Sequence, residues 1–362
     1  MIGAPITRGV GERGEMTDTA LDVTVVIPHY AGAQVVECLE ALFACPDRPA
    51  AVVLVDDGST DGTAERAAQR FPSIRLVRNP VNLGFVGACN RGLAEVASAW
   101  AVLLNDDALA DPGWLAALVR ALAADRSVAA VQPKIVTVAD PARFDYAGAA
   151  GGLIDRYGYP FALGRWFDRT EIDRGQYDAP REIFWASGTA MGLSMEAYRR
   201  VGPLETAFRM HMEEIDWCWR CILAGYRIMS VPSARVRHHG AMTLRAASPR
   251  KMYLNHRNSF LMLLKNYSAA TLVRVLPARL GLEALTVVAA LATGQFWRAL
   301  GAFAGPFGAM ALLPRIWPAR RRVQAMRVRP DAEVARFMYG GSIALRHLRR
   351  LPAPAPSPSG GA

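Results

Sequence analysis

Trp100-Ala101-Val102-Leu103-Leu104-Asn105-Asp106-Asp107 passes from an unbroken apolar run straight into amide and carboxylate oxygens. The run has the composition of a buried strand, and the oxygens fall at its carboxyl end, where open α/β sheets hold their ligands. Hard oxygens in that place suit a divalent cation and a diphosphate. Working outward, residues 23–27, 51–55 and 74–77 are further short β-rich runs, each followed by a helix-compatible stretch. Such alternation predicts a parallel sheet flanked by helices. Pro28-His29-Tyr30 follows the first run, Asp56-Asp57-Gly58-Ser59 the second and Asn105-Asp106-Asp107 the fourth, so all three converge on one sheet edge. There Tyr30 offers a ring to stack on a base and Asp57 an acceptor for a base N–H. Residues 59–63 read equally well as a turn and helix N-cap.

Composition bounds the rest. At 362 residues, 52% hydrophobic and 20% charged, the chain suits one catalytic domain plus an appendage. Its formal charge of +10 is concentrated in Arg315, Arg320, Arg321, Arg322, Arg327 and Arg329, which follow a hydrophobic segment. That placement favours an anionic membrane surface over nucleic acid. Five cysteines without framework spacing, and no signal-peptide pattern, give the expectation of a reducing cytoplasm. Cys218-Trp219-Arg220-Cys221 lacks a second pair and reads as core thiols rather than a zinc site. Residues 1–20 and 351–362 are expected to be disordered tails.

Five ordered blocks carry a resemblance: residues 25–30 (VVIPHY), 53–63 (VLVDDGSTDGT), 79–92 (NPVNLGFVGACNRG), 103–107 (LLNDD), and 187–190 (SGTA) leading into 212–217 (MEEIDW). Over residues 22–268 the chain resembles the family 2 glycosyltransferases of the GT-A fold, especially their bacterial rhamnosyltransferase-like branch. The resemblance implies an α/β GT-A fold, a mostly parallel sheet flanked by helices. It implies a catalytic domain at 21–250, with a nucleotide-sugar half (21–135) and an acceptor half (136–250). A helical, membrane-associating extension (251–350) completes it.

Carried over position by position, Pro28, Tyr30, Asp57, Asn90, Asn105 and Asp106 would bind the nucleotide sugar. Asp107 would ligate Mg²⁺ or Mn²⁺. Asn105 stands where many relatives have Asp, which leaves an oxygen but weakens a direct metal role. His238, after a strand at 227–231 and a turn at Pro232, matches a metal-ligating His of some relatives, or else belongs to a polar turn with His239. Glu214 takes the place of the catalytic base, with Gly188, Glu213 and Asp216 in the acceptor region. The alternative for Asp216 is an i,i+4 pair with Arg220. The resemblance thus implies inverting transfer of one sugar from a nucleotide-diphosphate donor, dTDP-rhamnose or a UDP-sugar, to a cell-envelope glycan or polyprenyl-lipid-linked acceptor. The setting would be the inner face of the cell membrane.

The C-terminal quarter is less specific. Residues 253–266 read as an amphipathic helix, with Arg257, Asn258 and Lys265 matching positions common in relatives. The apolar run 282–293 is broken at Gly294, Gln295 and Arg298, short of the roughly 20 residues of a span, which suggests in-plane or re-entrant membrane helices. A helical hairpin packed on the catalytic domain is the other reading. A dinucleotide oxidoreductase is disfavoured because Gly84-Phe85-Val86-Gly87 is not G-x-G-x-x-G. A non-catalytic nucleotide-sugar-binding module would have no use for Glu214, and a processive synthase would carry a Q-x-x-R-W element, which is absent.

Overall fold

The structure, a computed structural model, describes residues 20–240 and 248–354. The tail expected at 1–20 lies outside the described residues up to residue 19, and that at 351–362 from residue 355 onward.

Thirteen strands are described. They are β1 (Leu21–His29), β2 (Pro49–Asp56), β3 (Arg75–Arg78), β4 (Trp100–Leu104), β5 (Ala108–Ala110), β6 (Val128–Thr137), β7 (Gly152–Ile154), β8 (Pro160–Ala162), β9 (Arg165–Trp166), β10 (Arg169–Thr170), β11 (Arg181–Ile183), β12 (Ala190–Ser194) and β13 (Arg227–His238). The main sheet has the order β11-β13-β6-β12-β4-β1-β2-β3, with β5 paired to β13, and β7 to β10 make a small second sheet. In β1 the residues from Val23 to His29 are buried on both faces, the mark of a central strand covered by helices on each side. It pairs in parallel with β2 and β4, Val25 lying between Val52 and Val102.

The sheet is mixed rather than mostly parallel. β12 runs antiparallel to both β4 and β6, and β13 antiparallel to β5 and β11. Both reversals position chemistry. Ala190 of β12 sits opposite Leu104, so the Ser187-Gly188-Thr189 turn lies beside the acidic triplet, where the Asn105 N–H donates to the Thr189 carbonyl at 2.9 Å. His238, at the end of β13, pairs with Ala108, one residue past Asp107. The turn expected at Pro232 is instead an irregularity inside β13, where register against β6 shifts between Val231 and Arg235. Proline cannot donate to the ladder, and a bulge accommodates it without ending the strand.

Helices α1 (Gln34–Ala44), α2 (Thr63–Arg70), α3 (Gly84–Leu93), α4 (Trp114–Ala124), α5 (Met195–Val201) and α6 (Glu213–Leu223) flank the sheet. Beyond them come α7 (Pro249–Asn266), α8 (Ala269–Ala292), α9 (Phe296–Ala311), α10 (Leu313–Met326), α11 (Asp331–Val334) and α12 (Ile343–Leu348). One apolar cluster holds α1 and α4 against the sheet, and a second unites α3 and α6 with Phe260 to Leu264 of α7. The boundary expected at residue 250 therefore does not separate two cores, because α7 is a wall of the catalytic unit.

Candidate active site

Asn105, Asp107, Gly188, Glu213, Glu214 and His238 line one cavity of about 1250 Å³. On one wall Asp107 Oδ1 and His238 Nε2 meet each other in an ion-pair contact at 3.1 Å, and among the described residues the buried Asn105 Oδ1 has no hydrogen-bond partner. A buried amide oxygen left open beside a carboxylate and an imidazole that meet only each other is costly unless a ligand is shared among them. Their chemistry fits Mn²⁺ or Mg²⁺. Among the described residues no three His, Cys, Asp or Glu side chains share a metal position, so the remaining ligands would be diphosphate and water. The other ring nitrogen, His238 Nδ1, lies 3.0 Å from Asp145 Oδ1. That pairing orients the ring and leaves Nε2 toward Asp107 and the cavity, where a bound cation would replace its proton. Burial opposes both charges, but the facing groups outweigh it: Asp107 sits below the usual carboxylate range and His238 is pushed up to about 10.

On another wall Glu213 and Glu214 open α6. A helix N-terminus favours carboxylates, but burial outweighs that and raises both. Glu213, 4% exposed, is held well above its ordinary value, chiefly by burial and then by Glu214. Glu214 is pushed up to about 7 by burial, with the Arg165 charge working the other way. The turn before them is strained: Arg209, His211 and Met212 all adopt the left-handed region at φ 62°, 67° and 72°. It is held from α7. Asn258 Nδ2 donates to the carbonyls of Phe208, Met210 and His211, and Arg257 donates to those of Ala207 and Phe208.

Other expected site residues are occupied elsewhere. Asp216 is fully buried and accepts from Lys265 Nζ at 2.6 Å, Arg220 Nε at 3.0 Å and Asn266 Nδ2 at 3.0 Å. It anchors α6 to α7 and does not face the cavity, so the i,i+4 pair is the correct reading. Asn90 donates to the Leu204 carbonyl and accepts from the Leu204 N–H, which corrects its assignment to nucleotide binding. Asp57 accepts from Asn79 Nδ2 and the N–H groups of Leu83 and Gly84, so it shapes that loop and keeps little acceptor capacity for a base. Pro28 is buried within β1 opposite Val55, while Tyr30 is 57% exposed at the sheet edge. Asp106 faces His29 rather than the cavity, 2.7 Å from its Nδ1.

Sequence reasoning missed His29, which reaches Thr63 Oγ1 at 2.9 Å through Nε2 and so ties the base-side loop to the acidic triplet. The signal was its position at the end of β1. It also missed Asp145 and Arg165, which come from a segment of short strands without periodicity.

The family model described as glycosyl transferase family 2 matches residues 24–202. An N-acetylglucosaminyl-diphospho-decaprenol L-rhamnosyltransferase of Mycobacterium tuberculosis (strains CDC 1551 and H37Rv) is 29% identical over 260 residues, covering 67% of this chain and 84% of its own length. A pre-mycofactocin glycosyltransferase of the same organism is 29% identical over 238 residues, covering 64% of this chain and 46% of its own length. A crystal structure of GalNAc-T7 with UDP, GalNAc and Mn²⁺ superposes with a TM-score of 0.53 at 16% identity, over 68% of this chain. The overlap is 48% of that protein's chain, and the likeness is one of fold. Together with acid clusters meeting at the edge of a GT-A sheet, these matches establish that the chain belongs to the family 2 glycosyltransferases and transfers sugar from a nucleotide donor.

Proposed function

We propose that this glycosyltransferase is metal-dependent and inverting, and moves one sugar, rhamnose from dTDP-rhamnose or the sugar of a UDP donor, to a hydroxyl of a lipid-linked acceptor at the inner membrane surface. The observation that carries it is the open Asn105 Oδ1 beside the Asp107–His238 pair in the same cavity as Glu213 and Glu214. A divalent cation held by Asp107 and His238 would neutralise the departing diphosphate, so no acid is needed to protonate it.

The remaining work falls to one base. Glu214 accepts the acceptor hydroxyl proton as the oxygen bonds to the anomeric carbon and the bond to the diphosphate breaks from the opposite face. Of the two acids Glu214 is the better base, because burial pushes it up only to about 7 while the more deeply buried Glu213 is held well above its ordinary value. A glycosidase would need a second carboxyl group to assist a poor leaving group.

The acceptor reading rests on the helical region. α8 is long and apolar enough to cross a bilayer by length and composition, and α9 and α10 form a pair bent by 72°. The polarity of α8 is inverted. Arg279 and Glu283 are buried against the small sheet, with Arg279 stacked 3.7 Å from the Tyr159 ring, while Val273, Leu280, Val288 and Leu291 face outward. On α9, Phe296, Leu300, Phe303, Phe307 and Met310 continue this apolar surface, and Gly301, Gly305 and Gly308 pack on α7. A surface of that kind suits acyl chains. The helices both pack as a hairpin and present an apolar face. The similar M. tuberculosis protein is named for a decaprenyl-diphosphate-linked acceptor.

Release of UDP or dTDP from a panel of nucleotide sugars, with Mn²⁺ and a lipid-linked acceptor, tests the reading. Turnover with one donor, abolished by EDTA and giving a product of inverted anomeric configuration, is expected. Undiminished transfer in EDTA, or retention of configuration, would refute it.

A further inference from the structure

The cavity that contains Glu214 is also walled by the β9–β10 turn, the end of α8, the start of α9, and α12. Three arginines, Arg169, Arg298 and Arg350, line this part of it. Among the described residues none of the three is in ion-pair contact with a carboxylate, whereas Arg220, Arg279, Arg327 and Arg329 each have one. Beside them the His347 ring stacks on Phe167 at 3.6 Å. Burial, and then the Arg298 charge, hold this imidazole below its ordinary range, with Arg169 adding to the effect and Asp168 opposing it. Cations that outnumber the one carboxylate of this wall, Asp168, and contact none mark a place for an anion.

The surroundings narrow the choice of anion. Arg298 lies one residue from Trp297 and two from Phe296, both of which are exposed, and Val288 and Leu291 at the end of α8 are exposed as well. A free phosphate or a nucleotide has no use for that apolar border. A bulk phospholipid would have no need of a cavity that also holds the catalytic acids. A diphosphate carrying a hydrocarbon chain on one side and a sugar on the other uses all three features.

We propose that Arg169, Arg298 and His347 form an acceptor subsite that holds the diphosphate of a polyprenyl-diphosphate-linked sugar. Its chain lies along the apolar face of α8 and α9, and its sugar hydroxyl reaches Glu214. The role as acceptor subsite rests on the transferase reading above; the anion and lipid specificity stands on the cavity alone. Arg169 and Arg298 are positioning residues for the acceptor.

The test uses the full chain and farnesyl diphosphate as the probe, with farnesol, inorganic pyrophosphate and phosphatidylglycerol vesicles as comparisons, read by calorimetry. Farnesyl diphosphate should bind at least about tenfold tighter than farnesol or pyrophosphate, since only it engages both the charge and the apolar border. Arg169→Ala and Arg298→Ala should each weaken it about tenfold, and Arg298→Lys less than Arg298→Ala. Binding of UDP or dTDP with Mn²⁺ should be unchanged in every variant, which also reports that the fold is intact. The proposal fails if the alanine variants bind farnesyl diphosphate as the parent does, if pyrophosphate binds equally well, or if farnesyl diphosphate competes with the nucleotide. It also fails if vesicles abolish probe binding, because the arginines would then be serving bilayer headgroups. Absence of any nucleotide binding by the parent chain, with the arginine-dependent probe binding intact, would instead sink the transferase reading and the acceptor role resting on it.

Discussion

Among the described residues Asp107 Oδ1 meets only His238, at the cavity wall, and removing the carboxylate should cost function more than stability. Asp107→Ala is expected to abolish EDTA-sensitive transfer and to weaken nucleotide binding in the presence of Mn²⁺, since the diphosphate charge loses its counter-ion. Near-normal, EDTA-sensitive turnover in the variant would refute the metal role. Glu214→Gln should keep the fold and donor affinity and lose transfer by about 10²-fold or more, because an amide cannot take up the hydroxyl proton. The base acts deprotonated, so the rate of the parent should rise with pH through about 7. Arg165 and Glu213 face this group; Arg165→Gln removes the opposing cation and should move that midpoint upward. A flat profile between pH 6 and 8, or an active Glu214→Gln beside an inactive Glu213→Gln, would move the base elsewhere. The convergence of Asp107, Glu214 and His238 on one cavity was legible because each adjoins a strand or helix end that the sequence marks. Asp57, Asn90 and Asp216 were not, because nothing local announces that Asn79, Leu204 and Lys265 consume their hydrogen-bonding capacity.

At the level of elements, the β-rich runs at 23–27, 51–55, 74–77 and 101–104 all became strands, since alternation and length suffice for parallel strands buried between helices. The antiparallel insertion of β12 was not legible, because a five-residue strand carries no mark of its direction. Nor was the service rendered by α7. Its Arg257 and Asn258 hold the strained turn at 207–211, and Lys265 neutralises Asp216, so one helix sets the pose of Glu213 and Glu214. Lys265 is 1% exposed, and Lys265→Met would leave Asp216 with one fewer cation in the core. A loss of about 3–5 kcal/mol in chemical denaturation is expected from breaking a buried pair, with donor affinity of the folded protein retained. If Asp216→Asn were fully stable but inactive, Asp216 would belong to the reaction after all.

Across the whole molecule, α8 and α9 differ from the catalytic sheet: the sheet buries its apolar residues, whereas α8 buries Arg279 and Glu283 and both helices turn apolar side chains outward. The arginine group expected at a membrane is partly spent inside: Arg320 donates to the Tyr267 carbonyl at 2.7 Å, Arg327 pairs with Asp331, and Arg329 donates to the Tyr226 carbonyl at 2.9 Å. Arg315, Arg321 and Arg322 remain exposed. The apolar run 282–293 was read as too short because Gly294, Gln295 and Arg298 end it, yet the helix starts at Ala269, buries its Arg279 and runs for 24 residues. A truncation after Tyr267 would strip Ile316 and Val323 from the core and so confound folding with binding. Substitution on the outer face of α9 avoids this, since Phe303 and Phe307 are more than 60% exposed. Phe303→Ser with Phe307→Ser should leave the denaturation midpoint nearly unchanged and sharply reduce flotation with anionic liposomes. High salt alone should release the parent chain only in part, because it screens the arginines over about 8 Å at physiological ionic strength and leaves apolar burial untouched. A parent chain that never floats at any salt concentration would mean that another protein, not a bilayer, covers the α8–α9 face. Complete release by salt would assign the attachment to the arginines alone.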